Sequence, residues 1–229
     1  MDSGGALGRL GEYFFNLDVL GRYYPSMLDG FAVTIKVAAL VVVVGLALGL
    51  TLALLRCWNR PWLSGAITAY VDVFRTLPQL VIIIFVYFAL PYGGVSLSPF
   101  AATTASLVFV LSAFSAEIFW SSIQATPSGQ WNAARSLGLR EHHVLRYVVL
   151  PQAIRTAIPM LANRSIAITK GTALGSAISL PEIIGTAQSA AQMSANPSPL
   201  TLAAVLYLIL FVPLVVASRY LESRYKWQR

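Results

Sequence analysis

Asp72, Arg75, Glu117, Asn163, Arg164 and Lys170 stand within or at the margins of long apolar runs. Ionisable groups in hydrocarbon are costly, so they face a cavity, an opposite charge or the membrane interface. Asn163 and Lys170 are seven residues apart and share one face of a helix, with Ile166 and Ala167 between them. Ala167, Gly171 and Ala173 are small enough to leave room beside that face. The expectation is a polar solute path bordered by Glu117, Asn163, Lys170 and Thr172. A competing arrangement has Lys170 snorkelling to the interface and Asn163 in an interhelical hydrogen bond. Asp72 and Arg75, three apart, are expected to pair on their own helix. Glu117 either pairs with an arginine of the cytoplasmic segment or acts at a gate.

Catalytic chemistry finds no support. The sequence contains no G-x-x-x-x-G-K-[ST], no H-E-x-x-H and no G-x-S-x-G, so it is not expected to hydrolyse ATP or act as an intramembrane enzyme. Cys57 is the single cysteine, which excludes an intrachain disulfide. His142 and His143 are adjacent and point to different helix faces, which argues against a shared metal. No cofactor or metal is expected in this chain.

A second group of residues is positioned for mechanical rather than chemical work. Thr126 is placed to cap a helix that has Pro127 in its first turn and runs through Leu137. Gly138 suits the left-handed residue after it. A second amphipathic helix follows, with Val144, Leu145, Val148 and Val149 on one face, until Pro151 breaks or redirects the chain. Ala133 and Ala134 are small enough for the first helix to fit a partner's groove. An amphipathic segment lying on the membrane without a partner has the same pattern. Ala134, three residues, then Gly138 is also the turn spacing of a DNA-binding helix-turn-helix, but here it lies between two membrane spans.

The elements that must carry these groups are transmembrane helices. Of 229 residues, 57% are hydrophobic and 11% charged, and the mean hydropathy is +0.69. A soluble domain carries about 25% charged residues. Roughly 20 apolar residues of helix cross a bilayer, and five stretches meet this requirement: 31–55, 67–90, 100–123, 157–180 and 201–218. The runs do not alternate as barrel strands do. The region 1–30 carries Asp2, Glu12, Asp18 and Asp29 and does not read as a signal peptide. Arg56, Arg60, Arg135, Arg140, Arg146, Arg155, Arg219, Arg224, Lys226 and Arg229 fall on one side, against Arg9 and Arg22 on the other. Ten basic residues against two place the C-terminus in the cytoplasm and the N-terminus outside. The formal charge of +7 is then a matter of topology, and nucleic acid is not needed. The domain organisation expected is an extracytoplasmic segment 1–30, one transmembrane domain 31–220 with its cytoplasmic segment at 124–156, and a tail 221–229.

The spacing Ala133-Ala134, three residues, Gly138, nine residues, Val148-Val149-Leu150-Pro151 resembles the cytoplasmic signature of the permease subunits of ABC importers. That signature reads Glu-Ala-Ala, three residues, Gly, nine residues, Ile, one residue, Leu-Pro. Asn132 stands for its Glu and Val148 for its Ile. Phe74-Arg75-Thr76-Leu77-Pro78, Ala116-Glu117-Ile118-Phe119, the run from Ile123 to Trp131 and Lys170-Gly171-Thr172-Ala173-Leu174 are similar to stretches of the polar amino-acid uptake subfamily. Gly171 replaces an Asp and Ala173 a Ser of that subfamily's pattern. The resemblance covers about residues 34–219.

It implies an all-α membrane protein of the type I importer permease fold, in a bacterial inner membrane, carrying a polar amino acid inward. It further implies that Gln130, Asn132, Ala133, Ala134, Gly138, Leu150 and Pro151 couple the chain to a separate cassette ATPase, which would hold the ATP and Mg. A second permease subunit, an extracytoplasmic solute-binding protein and membrane lipid are the other partners implied. Asn132 removes a charge at the docking edge. A stand-alone channel or secondary transporter is the rival class. It fits poorly, because no internal repeat is visible.

Overall fold

The structure, a computed structural model, describes Gly8, residues 11–58 and residues 60–225. Asp2, Arg9, Lys226 and Arg229, used above in the charge reading, lie outside the described residues. Those described contain helices and turns and no strand. In chain order the helices are α1 (Leu17–Arg56), α2 (Pro61–Thr76), α3 (Gln79–Phe88), α4 (Pro99–Gln124), α5 (Ser128–Ser136), α6 (Glu141–His143), α7 (Leu150–Thr169), α8 (Ile183–Ser194) and α9 (Ser198–Tyr225). A 3-10 turn, Leu90–Gly93, follows α3, a π-turn, Val144–Val149, joins α6 to α7, and a 3-10 run, Lys170–Ile178, follows α7.

Three helical stretches among the described residues are long and apolar enough to cross a membrane: Gly11–Arg56, Pro99–Gln124 and Ser198–Tyr225. A fourth crossing results if α2 and α3 together form one span. Two of the five expected stretches are therefore not continuous α-helices. The stretch 67–90 is interrupted at Leu77-Pro78, where Leu77 is extended with ψ 137°. Pro78 lacks an N–H and its ring disfavours the helical conformation in the residue before it, so α2 stops at Thr76. The stretch 157–180 changes at Lys170 from α-helix to 3-10. It ends at Ser179, whose φ of +63° is left-handed.

The chain divides into two compact units, each discontinuous in sequence. The first holds residues 1–40, 79–107 and 169–213. Its core is Met27, Ile183, Ala187, Ala203 and Leu206, flanked by Phe31, Ile184, Leu202 and Tyr207. Met27 belongs to α1, so the boundary expected at residue 30 falls inside a helix whose apolar side is already buried. Asn16 starts that helix: its side-chain oxygen accepts from the N–H groups of Asp18 and Val19, both at 3.1 Å. Its own N–H donates to Ser198 Oγ at 2.9 Å, which ties the start of α1 to that of α9. The 3-10 run packs against α3 and α4. A Cβ on Gly175 would lie 2.7 Å from Leu180 Cδ2 and 2.8 Å from Thr103 Oγ1. One on Gly171 would meet Gln79 and Leu107. The room that Gly171 was expected to leave is therefore filled by neighbouring side chains.

The second unit holds residues 41–78, 108–168 and 214–229. Here Gly45 and Gly49, one turn apart on α1, let α4 approach closely. A Cβ on Gly45 would be 3.0 Å from Leu111, and one on Gly49 would strike Ser115. Ser115 Oγ donates to Gly45 O at 3.2 Å. This is small-residue helix packing of the kind membranes favour, where apolar burial alone gives no drive to associate. Ala53, Phe119, Ala157 and Leu161 continue the core, and α9 extends to Tyr225, past the boundary expected at residue 220.

Candidate functional site

The helix–glycine–helix segment forms as expected in outline. Helix α5 ends at Ser136, and Gly138 has φ +79°. No atom lies within 4 Å of a Cβ built on Gly138, so backbone conformation and not space requires glycine there. Arg135 and Glu141 close the turn from either side. Arg135 Nε donates to Glu141 Oε1 at 2.8 Å and a terminal guanidinium nitrogen donates to Oε2 at 3.2 Å. This fork holds the Glu141 carboxyl below the usual carboxylate range and raises the Arg135 guanidinium.

Ala134 packs with Ile123, Val144, Val149 and Ala153, flanked by Trp131, Leu145 and Val148. The apolar face predicted for the second helix is thus buried against the first. Ala134 is spent inside the chain and is not available to a partner. The face left outward carries Gln130, Ala133 and Leu137, at helical spacing, with Asn132 beside it and Leu137 82% exposed. Asn132 also lines a cavity of about 340 Å³ with Arg56, Trp120, Trp131 and Arg135.

Two local expectations are corrected. Thr126 does not cap α5: its hydroxyl donates backwards to Ser122 O at 3.5 Å, and the cap residue Pro127 makes no side-chain bond. Pro151 does not break the chain. Glu141 to Thr169 is one unbroken helical run because the π-turn widens just before the proline. Leu150 N–H reaches back five residues to Leu145 O, relieving the clash a proline ring makes with the carbonyl four residues earlier. The Gln152 side-chain amide donates to Val148 O at 2.7 Å. Leu150 is half-buried and Pro151 exposed.

The polar groups of the apolar runs are placed separately. Glu117 pairs with Arg56 at 3.2 Å, an arginine of the first connection and not of the 121–156 segment. Arg56 also stacks 4.6 Å over Trp120. Asp72 and Arg75 form no ion pair among the described residues. Arg75 and Arg164 instead lie 5.3 and 4.0 Å from the Phe114 ring. Asn163 donates to Glu222 and accepts from Ser218 Oγ at 2.9 Å, joining α7 to α9. Lys170 is exposed, its ammonium 5.8 Å from the Phe211 ring, and Thr172 is fully buried with its hydroxyl unpartnered.

Sequence reasoning missed Glu182. Its carboxylate is completely buried, with Oε1 accepting from Gly185 N–H at 2.8 Å and Oε2 from the Tyr207 hydroxyl at 2.7 Å. The signal was an acidic residue after Pro181 and three before Gly185, the spacing of a helix cap.

The sequence pattern of the family described as "Binding-protein-dependent transport system inner membrane component" matches residues 19–227. The chain is 38% identical over 216 residues to the probable glutamine ABC transporter permease protein GlnP of Bacillus subtilis (strain 168), covering 91% of this chain and 99% of that protein. It is 31% identical to the arginine transport system permease protein ArtQ of the same organism, covering 88% and 93%. A crystal structure of an amino acid ABC transporter with histidines superposes with a TM-score of 0.82 at 30% identity, covering 90% of this chain and 96% of that one.

Proposed function

Because the chain belongs to the binding-protein-dependent transport system inner membrane components, we propose that it forms half of the membrane pore of an ATP-driven importer for a polar amino acid. The carrying observation is the outward face of α5. Gln130, Ala133 and Leu137 point away from a core that already uses Ala134. Exposed apolar surface on a short helix, as at Leu137, fits a helix-in-groove contact with another protein. The Gly138 turn, clamped by Arg135 and Glu141, sets the helix on its stalk. The stalk is the unbroken run from Glu141 to Thr169, so a push on α5 is delivered along one rigid element.

In this reading a separate cassette ATPase holds ATP and Mg, and this chain contributes no catalysis. ATP-driven closure of two such subunits moves two docked elbows and alternates the pore between its open sides. A second permease subunit completes the pore, and an extracytoplasmic binding protein delivers the solute. The chain crosses five times if α2 with α3 counts as one span and α7 with its 3-10 run as another, and the arginine distribution favours an N-terminus outside and a C-terminus in the cytoplasm. Lys170, which is exposed, borders the path, while Glu117 and Asn163 brace the surrounding helices through Arg56 and Glu222. Neutral Asn132 in the usual glutamate position meets the ATPase by hydrogen bonding and not as an ion pair.

Gentle detergent extraction of the tagged chain from its host tests this directly. A cassette ATPase is expected to co-purify and to be lost from Leu137→Asp protein that still extracts as a folded species. Isolation of the chain alone, with solute flux through vesicles in the absence of ATP, would replace the importer by a channel or carrier.

A further inference from the structure

Helix α8 is amphipathic in an unusual sense for a protein this apolar. Ile183, Ala187 and Ala190 face the core of the first unit. Gly185, Gln188, Ser189 and Gln192 form the opposite stripe, and they line a cavity of about 520 Å³. Ser176, Ser179 and Thr186 complete its polar wall. A volume of this order is within the range of small-molecule sites.

The wall is rich in hydrogen-bonding groups and carries no charge. None of its lining residues is Asp, Glu, Lys or Arg. Glu182 is adjacent in sequence but completely buried, with both oxygens occupied by Gly185 N–H and the Tyr207 hydroxyl. Lys170 is directed to Phe211. Ser176 Oγ donates to Ala173 O at 2.8 Å and Ser189 Oγ to Gly185 O at 3.0 Å, which leaves their lone pairs as acceptors. The side-chain amides of Gln188 and Gln192 have no partner among the described residues. Each therefore offers a free carbonyl and a free NH₂ group.

We propose that this cavity is a solute subsite for amino acids with neutral, hydrogen-bonding side chains, carboxamides and hydroxyls, and that Gln188 and Gln192 set that preference. The proposal rests on the importer reading above. A carboxamide is the self-complementary partner of a glutamine side chain, donating to its carbonyl while accepting from its NH₂ group. The serine lone pairs accept from an α-ammonium. A guanidinium, ammonium or carboxylate side chain entering the same wall would lose hydration and meet no counter-charge. Charged amino acids are therefore discriminated against by what the cavity lacks.

The test is equilibrium binding of radiolabelled L-glutamine and L-arginine to the detergent-solubilised complete transporter, without its binding protein, so that the membrane part alone selects. The wild type is expected to retain glutamine at least tenfold better than arginine. Gln188→Glu/Gln192→Glu should reverse that order by placing carboxylates in the wall. The milder Gln192→Leu should weaken glutamine and leave arginine as poor as before. Equal retention of the two probes by the wild type, or an unchanged ratio in both variants, overturns the proposal. ATP-driven uptake by wild-type transporter in vesicles supplied with binding protein is measured in parallel. Uptake with an unchanged binding ratio refutes this subsite alone, whereas absence of any ATP-dependent uptake refutes the importer reading itself.

Discussion

Two short helices, α5 and α8, lie between longer ones and are held in opposite ways. Helix α8 is anchored at both ends. Buried Glu182 caps its first turn, Thr34 Oγ1 accepts from Ile183 N–H at 3.2 Å, and Ala195 closes the far end in the left-handed conformation at φ +50°. Gly30 of α1 presses on the same point: a Cβ there would be 2.8 Å from Thr186 Oγ1 and 3.0 Å from Glu182 O. Helix α5 has no side-chain cap, one buried alanine, and an exposed ion pair beside it. Buried, fully satisfied polar groups make a position hard to leave. An exposed pair in water contributes little. The contrast separates a helix fixed at both ends by buried groups from a helix whose outer face stays exposed.

Removing the strongest anchor is the severest challenge to that contrast. Glu182→Ala leaves Gly185 N–H and the Tyr207 hydroxyl without partners, at a cost of about 3 kcal/mol. Thermal unfolding in detergent should show a clear loss, with Glu182→Gln intermediate. A melting temperature equal to wild type for Glu182→Ala would mean that α8 is not held by its cap. Gly30→Val should cost about 1–3 kcal/mol by overpacking at the same place, and a disulfide-free readout such as protease protection of α8 would register it. In the elbow, Gly138→Val forces a β-branched residue to positive φ, costing about 1–2 kcal/mol. Its larger consequence is lost ATPase co-purification, while Gly138→Asn should retain the partner.

The smallest effect belongs to Glu141→Gln, which should leave the melting temperature nearly unchanged. The pH dependence of this pair has a definite sign. The folded carboxyl is held below its ordinary value, so the pair's contribution is complete above the ordinary carboxylate range. It is lost as pH falls through the depressed folded value. Between pH 6 and 8, roughly, no change in coupling should be traceable to it, and a coupling step in that window that Glu141→Gln abolishes would contradict this.

The parts of this molecule written in local spacing were legible in the sequence. Gly138 announces a left-handed turn because few other residues adopt it, and the apolar face Val144, Leu145, Val148, Val149 announces what must be buried. The runs at 100–123 and 201–218 were long and apolar enough to be read as helices outright. The errors have a common cause, since each concerns a residue whose usual local effect is overridden or enforced by neighbours. Pro78 interrupted a helix that hydropathy averaging had read straight through. Pro151 was absorbed by a wide turn that no hydrophobic pattern encodes. Asp72 and Arg75 had the spacing of a helix pair, but the Phe114 ring took the guanidinium. Asn163 makes the interhelical bond of the competing arrangement, but with Glu222, 59 residues away, a partner that periodicity cannot supply.

The π-turn before Pro151 has a bearing on how the signature tolerates change. Each residue of an α-helix advances the chain by about 100°, so a wide turn holding one surplus residue is an angular offset stored in the backbone. Deleting one residue between Val144 and Val149 would do more than shorten the stalk. It would tighten the turn and swing everything before it, the elbow included, by about a quarter of a revolution relative to everything after it. The number of residues between Gly138 and Pro151 is in this sense a phase, and α5 points where that count sends it.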